Sequence, residues 1–369
     1  MTAVSNPAAG QSRSAFSEGL KPSFLTGAIW AGLASLIMLP SLLGDLQAHE
    51  MLYGYLSAII ASFILTAIPG WTGRPPLRTP VLAVLILAWL AGRLAIAISG
   101  TIGPALAGGI DSLFLLLVAL VALRETVASF AWSALPPIGL LILFYAGNDI
   151  FQLGSPELGK RIGVAAVVLL VTLVGGSVVP KPGGAADDRP AAFGTLDVAV
   201  LVASAAALAA WIVLPGYRIA AGLLVVAGLL QGFRLARWVG GGTQQTTLTL
   251  IQQIAYGLLP LGFLIIGAGG VASPDNPAGA DIRAWTVSAT GILTLGILAR
   301  LSLGDVPTAP ARLFARAIYA AFGLSILIRV FGGWSQYLPP VGEAALLVAF
   351  AVFTLGALPV LARSGRRDR

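Results

Sequence analysis

Long apolar runs recur from one end of this chain to the other, and they constrain its fold more than any other feature. A run of about 20 apolar residues has the length that an α-helix needs to cross the hydrocarbon core of a bilayer. Of the 369 residues, 57% are hydrophobic and only 10% are charged, too few charges to cover a surface that faces water. Because backbone polar groups must be paired inside lipid, the sequence predicts an all-α, polytopic transmembrane bundle of about 12 helices.

Turn residues separate the apolar runs and set the expected boundaries. The predicted helices are 23–45, 50–69, 80–99, 103–123, 132–152, 161–180, 196–214, 217–238, 247–269, 282–303, 312–331 and 341–361. Residues 1–22 form a polar N-terminal tail, and residues 362–369 form a basic C-terminal tail. The longest break, at about 181–195, would divide the single bundle 23–361 into halves 23–180 and 196–361.

The distribution of basic residues predicts the topology. Most of the 22 Lys and Arg residues fall in the two tails and in the loops on the same side, which places both termini in the cytoplasm. In a bacterium this would be a multi-pass protein of the inner membrane. The net charge of +7 does not indicate nucleic-acid binding, because the basic residues lie at helix ends and do not cluster with aromatics. The absence of cysteine excludes thiolate catalysis and Cys-ligated metal sites.

His49 is the only histidine, and it opens the second predicted helix. Helical spacing puts it on one face with Leu52 and Tyr53, so its imidazole could point into the bundle near the outer interface. A neutral imidazole there could ligate a haem iron or another metal. The alternative is an interfacial histidine that caps the helix or forms hydrogen bonds across the first loop.

Charged side chains inside a membrane are costly, so Arg93 and Asp111 are candidate functional residues. They lie at similar depth on neighbouring predicted helices, and a salt bridge that orients the two helices is one interpretation. In the other, Arg93 contacts a haem propionate or an anion. Asp149 is expected to be a solvated interfacial charge beside Lys160 or Arg161.

The ninth predicted helix carries a polar stripe that includes Gln253 and Tyr256. Such side chains usually form hydrogen bonds to neighbouring helices within lipid. The alternative is that Gln253 and Tyr256, together with Asp111, line a small polar cavity.

Four sequence segments resemble the NnrS family. They are His49-Glu50-Met51-Leu52-Tyr53-Gly54-Tyr55, Leu65-Thr66-Ala67-Ile68-Pro69, Trp71-Thr72-Gly73-Arg74-Pro75-Pro76-Leu77 and Trp89-Leu90-Ala91-Gly92-Arg93-Leu94-Ala95. The resemblance implies a bacterial twelve-helix membrane protein tied to nitric oxide stress and denitrification, from a family described as binding haem and copper. It makes His49 the candidate haem ligand, with Tyr53 and Arg93 as the other cofactor-binding candidates.

The chain departs from the family pattern at its histidines. Family members resemble one another in a set of histidines. At four of those positions this chain has another residue: Gln47, Gln253, Arg283 and Asp305. One imidazole cannot build a bis-histidine haem or a copper site of several imidazoles, so copper is predicted to be absent. A haem b on His49 remains the one cofactor hypothesis.

The leading functional hypothesis is an NnrS-like inner-membrane protein of the nitric oxide or nitrosative-stress response. Its expected partners are the lipid bilayer and nitric oxide, a small gas, and nucleic acid is not expected. A permease or channel for a small solute, and a metal-free structural or regulatory membrane protein, are the alternatives. Whether the chain is an enzyme stays open, as does a homo-oligomer that would bring two copies of His49 together.

Overall fold

The computed structural model describes residues 48–178, 194–239 and 247–272, and every regular element in those ranges is helical. Both tails, most of the long linker and the predicted helices 23–45, 282–303, 312–331 and 341–361 lie outside the described residues. The total of 12 helices and the cytoplasmic termini therefore remain predictions.

Each predicted span from 50–69 to 247–269 is a helix in the structure. The elements are a π-helix Glu50–Tyr55, α1 Leu56–Thr72, α2 Thr79–Ala97, the short α3 Ser99–Ile102, α4 Pro104–Ala128, a 3₁₀ turn Trp132–Ala134, α5 Leu135–Gln152, α6 Pro156–Val178, α7 Thr195–Val213, α8 Arg218–Val239 and α9 Thr247–Ala272. Proline in the first turn starts α2, α4 and α5, where its missing N–H costs no hydrogen bond.

Seven helices of the described ranges are long and apolar enough to cross a membrane. Their outer faces carry exposed aliphatic side chains such as Leu87, Val202 and Leu229. Charged side chains such as Arg93 and Arg234 are instead buried between helices. This distribution, apolar outside and charged inside, fits lipid as the surrounding solvent.

The chain divides into two compact units. The first contains the described residues 48–163, and the second contains those from 164 onward up to 272. In the first unit α4 packs against α2, α5 and α1. In the second unit α8 packs between α7 and α9.

The π-helix that precedes α1 is the unusual element of the first unit. The N–H of Leu56 bonds the carbonyl of Met51, five residues earlier, so the turn is wider than in an α-helix. Within this turn Glu50, Tyr53 and Gly54 are all buried. π-Helical turns are rare and occur frequently at functional sites.

Candidate functional site

His49 lies immediately before the π-helix and is buried, with 1% of its surface exposed. Its Nε2 atom is 3.0 Å from Asn148 Oδ1 and 2.9 Å from Gln152 Nε2, both on α5. Depending on the tautomer, Nε2 donates to Asn148 or accepts from Gln152. The imidazole therefore points into the bundle, which was one of the two possibilities that the sequence left open. It bonds side chains of α5 and does not cap its own helix.

Arg93 joins two buried carboxylates. Its Nη1 donates to Glu50 Oε1 at 2.7 Å, and its Nη2 contacts Asp111 Oδ1. All three side chains are at most 3% exposed. The sequence-based prediction of an Arg93–Asp111 salt bridge is thus confirmed, and Glu50 is a second partner that the sequence did not indicate.

His49 lies between the same two carboxylates as Arg93. Its Nε2 is 3.3 Å from Asp111 Oδ2, and its Nδ1 is 3.5 Å from Glu50 Oε1. Two basic groups therefore face two carboxylates in an interior where an unpaired charge would be costly. We call this cluster the His49 network. Its members are His49, Glu50, Arg93, Asp111, Asn148 and Gln152.

Asn148 extends the network to the polar side chains of α4. Its Nδ2 donates to Asp111 Oδ2 at 3.0 Å and to Ser112 Oγ at 3.2 Å. Ser112 in turn donates to Asp149, which is half-buried. Asp149 is therefore bonded to Ser112, and Lys160 pairs with Glu157 of its own helix. The expectation that Asp149 lies as a solvated interfacial charge beside Lys160 or Arg161 remains a prediction.

Gly54 permits the close packing on which the network depends. A Cβ atom at this position would lie 2.6 Å from Arg93 Nη1 and 2.7 Å from Glu50 Oε2, well inside van der Waals distance. The carbonyl of Gly54 also accepts a 3.0 Å hydrogen bond from the indole N–H of Trp89. The π-helix is thus fixed to α2 through both Trp89 and Arg93, which are one helical turn apart.

Tyr53 lies beside the network and is anchored elsewhere. Its hydroxyl donates to the carbonyl of Gly159 at 2.7 Å, and its ring packs against Phe144 at 5.0 Å between centroids. The ring of His49 is 5.6 Å away. The structure therefore brings the three cofactor-binding candidates into one region, with His49 and Arg93 in the network and Tyr53 packed next to it.

The surroundings of His49 do not fit a haem in this arrangement. Iron ligation needs a lone pair on a ring nitrogen and an open side for the porphyrin. Nε2 is instead enclosed by Asn148, Gln152 and Asp111, and Nδ1 faces Glu50. In the part of the chain that the structure describes, no group of three or more His, Cys, Asp or Glu residues is arranged to hold a metal ion.

A second buried polar cluster occupies the second unit, centred on Arg234 of α8. The Nε atom of Arg234 donates to Asp197 Oδ1 at 2.7 Å. Its Nη1 donates to the carbonyl of Thr172 at 2.7 Å and to the hydroxyl of Tyr256 at 3.0 Å. Although Arg234 lies near the end of α8, its side chain is only 1% exposed.

Tyr256 and Gln231 complete this cluster. The hydroxyl of Tyr256 donates to Gln231 Oε1 at 2.7 Å, and Gln231 Nε2 donates to Thr172 Oγ1 at 2.8 Å and to Ser204 Oγ at 3.0 Å. We call this cluster the Arg234 network. Its members are Thr172, Asp197, Ser204, Gln231, Arg234 and Tyr256. Tyr256 therefore bonds neighbouring helices, as one interpretation of the polar stripe expected.

Gln253 lies one turn before Tyr256 on α9 and is also buried. Its Oε1 has no hydrogen-bond partner within the described residues. Asp111, the third candidate for lining a polar cavity, belongs to the His49 network of the first unit and not to this cluster. The suggestion that the three residues share one cavity remains a prediction.

The fold and the two networks define a class: a helical membrane protein whose charged side chains are paired inside the helix bundle. No curated protein matches the chain. The family model described as "NnrS protein" matches residues 14–364, nearly the whole chain. The chain therefore belongs to the NnrS family, and the resemblance seen in the sequence is confirmed.

Proposed function

We propose that this chain is a bacterial inner-membrane protein of the nitric oxide or nitrosative-stress response and that the His49 network is its working site. Family membership supports the physiological role. The observation that carries the assignment of the site is the burial of Glu50, Arg93 and Asp111 in a bundle with an apolar exterior. Ionisable groups at such positions are expensive and are usually functional.

Nitric oxide suits such a site because it is uncharged and partitions into lipid. It can reach the bundle from the hydrocarbon side without crossing a charged surface. The network would present nitric oxide with a fixed set of hydrogen-bond donors and acceptors. In a medium of low dielectric constant, the electrostatic interactions of such groups are stronger than in water.

Copper is proposed to be absent, because one imidazole does not provide the ligands of a copper site. Haem b on His49 remains a testable alternative to a metal-free site. It would require the imidazole to give up its contacts with Asn148 and Gln152. We expect the protein, purified from cells well supplied with haem, to show neither a Soret band nor bound copper. A Soret band that disappears in His49→Ala would contradict this expectation and would assign haem to His49.

The permease alternative receives less support. Transporters of small solutes usually contain broken helices. In the structure α9 runs from Thr247 to Ala272 with Pro260 inside it. The hydroxyl of Tyr256 is also fully engaged between Gln231 and Arg234, which suits a joint between helices better than a solute path.

Survival under nitric oxide tests the proposed function. A bacterium that lacks this gene would be complemented with the wild type, His49→Gln, Arg93→Gln or Arg124→Gln, and grown with a nitric oxide donor. His49→Gln and Arg93→Gln should give the sensitivity of the deletion strain. The matched control Arg124→Gln should behave as wild type, because the side chain of Arg124 is 77% exposed.

Immunoblots of the membrane fraction separate loss of function from loss of the protein. His49→Gln keeps a hydrogen-bonding side chain and leaves Arg93 paired with Glu50 and Asp111, so its abundance should be close to wild type. Wild-type survival of a strain that makes normal amounts of His49→Gln would exclude the His49 network as the working site. If the deletion strain itself is no more sensitive than its parent, the proposed role is wrong.

A further inference from the structure

A small apolar cavity lies between α1, α2 and α4 in the first unit. Its volume is about 20 Å³. Its lining residues are Ala58, Ala61, Leu65, Leu82, Leu85, Ile86, Trp89 and Phe114. About 10–15 Å³ of such space accommodates one water molecule, so the cavity admits a molecule of one or two heavy atoms.

The chemistry of the lining argues against water as the occupant. A buried water molecule needs two to four polar partners. Seven of the lining side chains are hydrocarbon, and the eighth belongs to Trp89, whose indole N–H already donates to the carbonyl of Gly54. Apolar cavities without such partners stay dry and accept apolar atoms or molecules.

The outer side of the cavity is reached from the lipid face of α2. Leu82 and Ile86 are half-buried, and Leu87 and Val84 of the same helix are exposed among the apolar outer side chains. A small uncharged gas dissolves in hydrocarbon and can approach by this route. A charged or strongly polar solute would have to lose its hydration first.

Trp89 connects the cavity to the His49 network. One part of the indole lines the cavity, while its N–H bonds Gly54, and Gly54 packs directly against Arg93 and Glu50. A bound molecule would therefore contact Trp89, the side chain that bonds the π-helix to α2.

We propose that this cavity is a binding site for an uncharged diatomic gas. The identity of that gas as nitric oxide rests on the proposed function, whereas the existence of the site rests on the cavity alone. The apolar lining, the volume and the position next to Trp89 together select this class of ligand over water, ions and polar solutes.

Crystals of the full chain pressurised with krypton test the site, since krypton is a monatomic probe close in size to a diatomic gas. Anomalous density should appear between Ala61 and Trp89 in the wild type. It should vanish in Ala61→Val, which fills the cavity, and persist in the control Ala83→Val, whose side chain faces outward on α2. Ala58→Val serves as a second filling variant if Ala61→Val does not fold.

Equilibration with nitric oxide before pressurisation identifies the ligand class, because a diatomic gas in the cavity should lower krypton occupancy. Absence of krypton density in the wild type, or density for a lipid acyl chain in the cavity, would overturn the inference. So would krypton density that a filling variant leaves unchanged. These results are independent of survival under nitric oxide, so the cavity and the proposed function can fail separately.

Discussion

Replacing Arg93 by methionine gives the sharpest test of the His49 network. Methionine keeps an unbranched apolar stem but removes the guanidinium that bonds Glu50 Oε1 at 2.7 Å and contacts Asp111 Oδ1. Both carboxylates are at most 3% exposed, so water cannot take the place of the guanidinium. Removing one partner of a buried ion pair typically costs about 3–5 kcal/mol, and we expect a loss in that range.

The free energy of unfolding in mild detergent, from a denaturant titration followed by circular dichroism, measures this loss. Arg124→Met is the matched control, because the side chain of Arg124 is 77% exposed and its Nη1 lies 3.8 Å from Glu125 Oε1. An exposed pair of this kind is worth about 0–1 kcal/mol. The two arginine variants should therefore differ clearly, although both remove one positive charge.

A rescue experiment separates charge from packing. Adding Glu50→Gln and Asp111→Asn to Arg93→Met removes both stranded charges, and most of the lost stability should return. If Arg93→Met is no less stable than Arg124→Met, or if neutralising the carboxylates deepens the loss, the ion pairs do not hold this part of the bundle together.

Two further substitutions test the packing of the helices. Gly147→Ala should lower the free energy of unfolding by about 1–3 kcal/mol through overpacking, because its Cβ would lie 2.9 Å from the backbone nitrogen of Gly163. Gly139→Ala on the same helix meets no atom within 4 Å and should be neutral or stabilising, and equal effects of the two changes would refute the predicted close approach. Tyr256→Phe should lower the free energy of unfolding, measured by thermal unfolding, by about 1–3 kcal/mol, because it removes a hydroxyl that bridges two buried side chains. Tyr217→Phe, at a side chain that is 62% exposed, should change little, and a similar loss in both variants would argue against the bridge.

The sequence predicted the described helices well because a membrane span is a local property. Length and apolar composition over about 20 residues decide whether a segment can cross a bilayer, and turn residues mark its ends. The predicted span 196–214 is α7, Thr195–Val213, and 217–238 is α8, Arg218–Val239. α6 begins at Pro156, five residues before the predicted start at 161. Its first turn contains charged residues, so a prediction based on apolar runs placed the start of the helix too late.

The Arg93–Asp111 pair could also be predicted from the sequence. Two opposite charges at similar depth on consecutive helices have few other partners in lipid, so depth alone indicated the pairing. The partner of Arg234 could not be predicted in the same way. Arg234 lies near the end of its helix, and a residue at that position can equally reach the headgroups or turn inward. Only the packing of α8 shows that it turns inward to Asp197.

The sequence by itself determined the class of protein, the helices of the described ranges and the family, because each is carried by local composition or short motifs. Tertiary structure decided the surroundings of His49. Asn148 and Gln152 are about a hundred residues away along the chain, and they meet the imidazole only because α5 packs beside the π-helix. The π-helical turn that buries Glu50 with Tyr53 and Gly54 could not be predicted from the sequence either. The change from α-helical to π-helical hydrogen bonding depends on packing and does not alter the apolar pattern of the sequence.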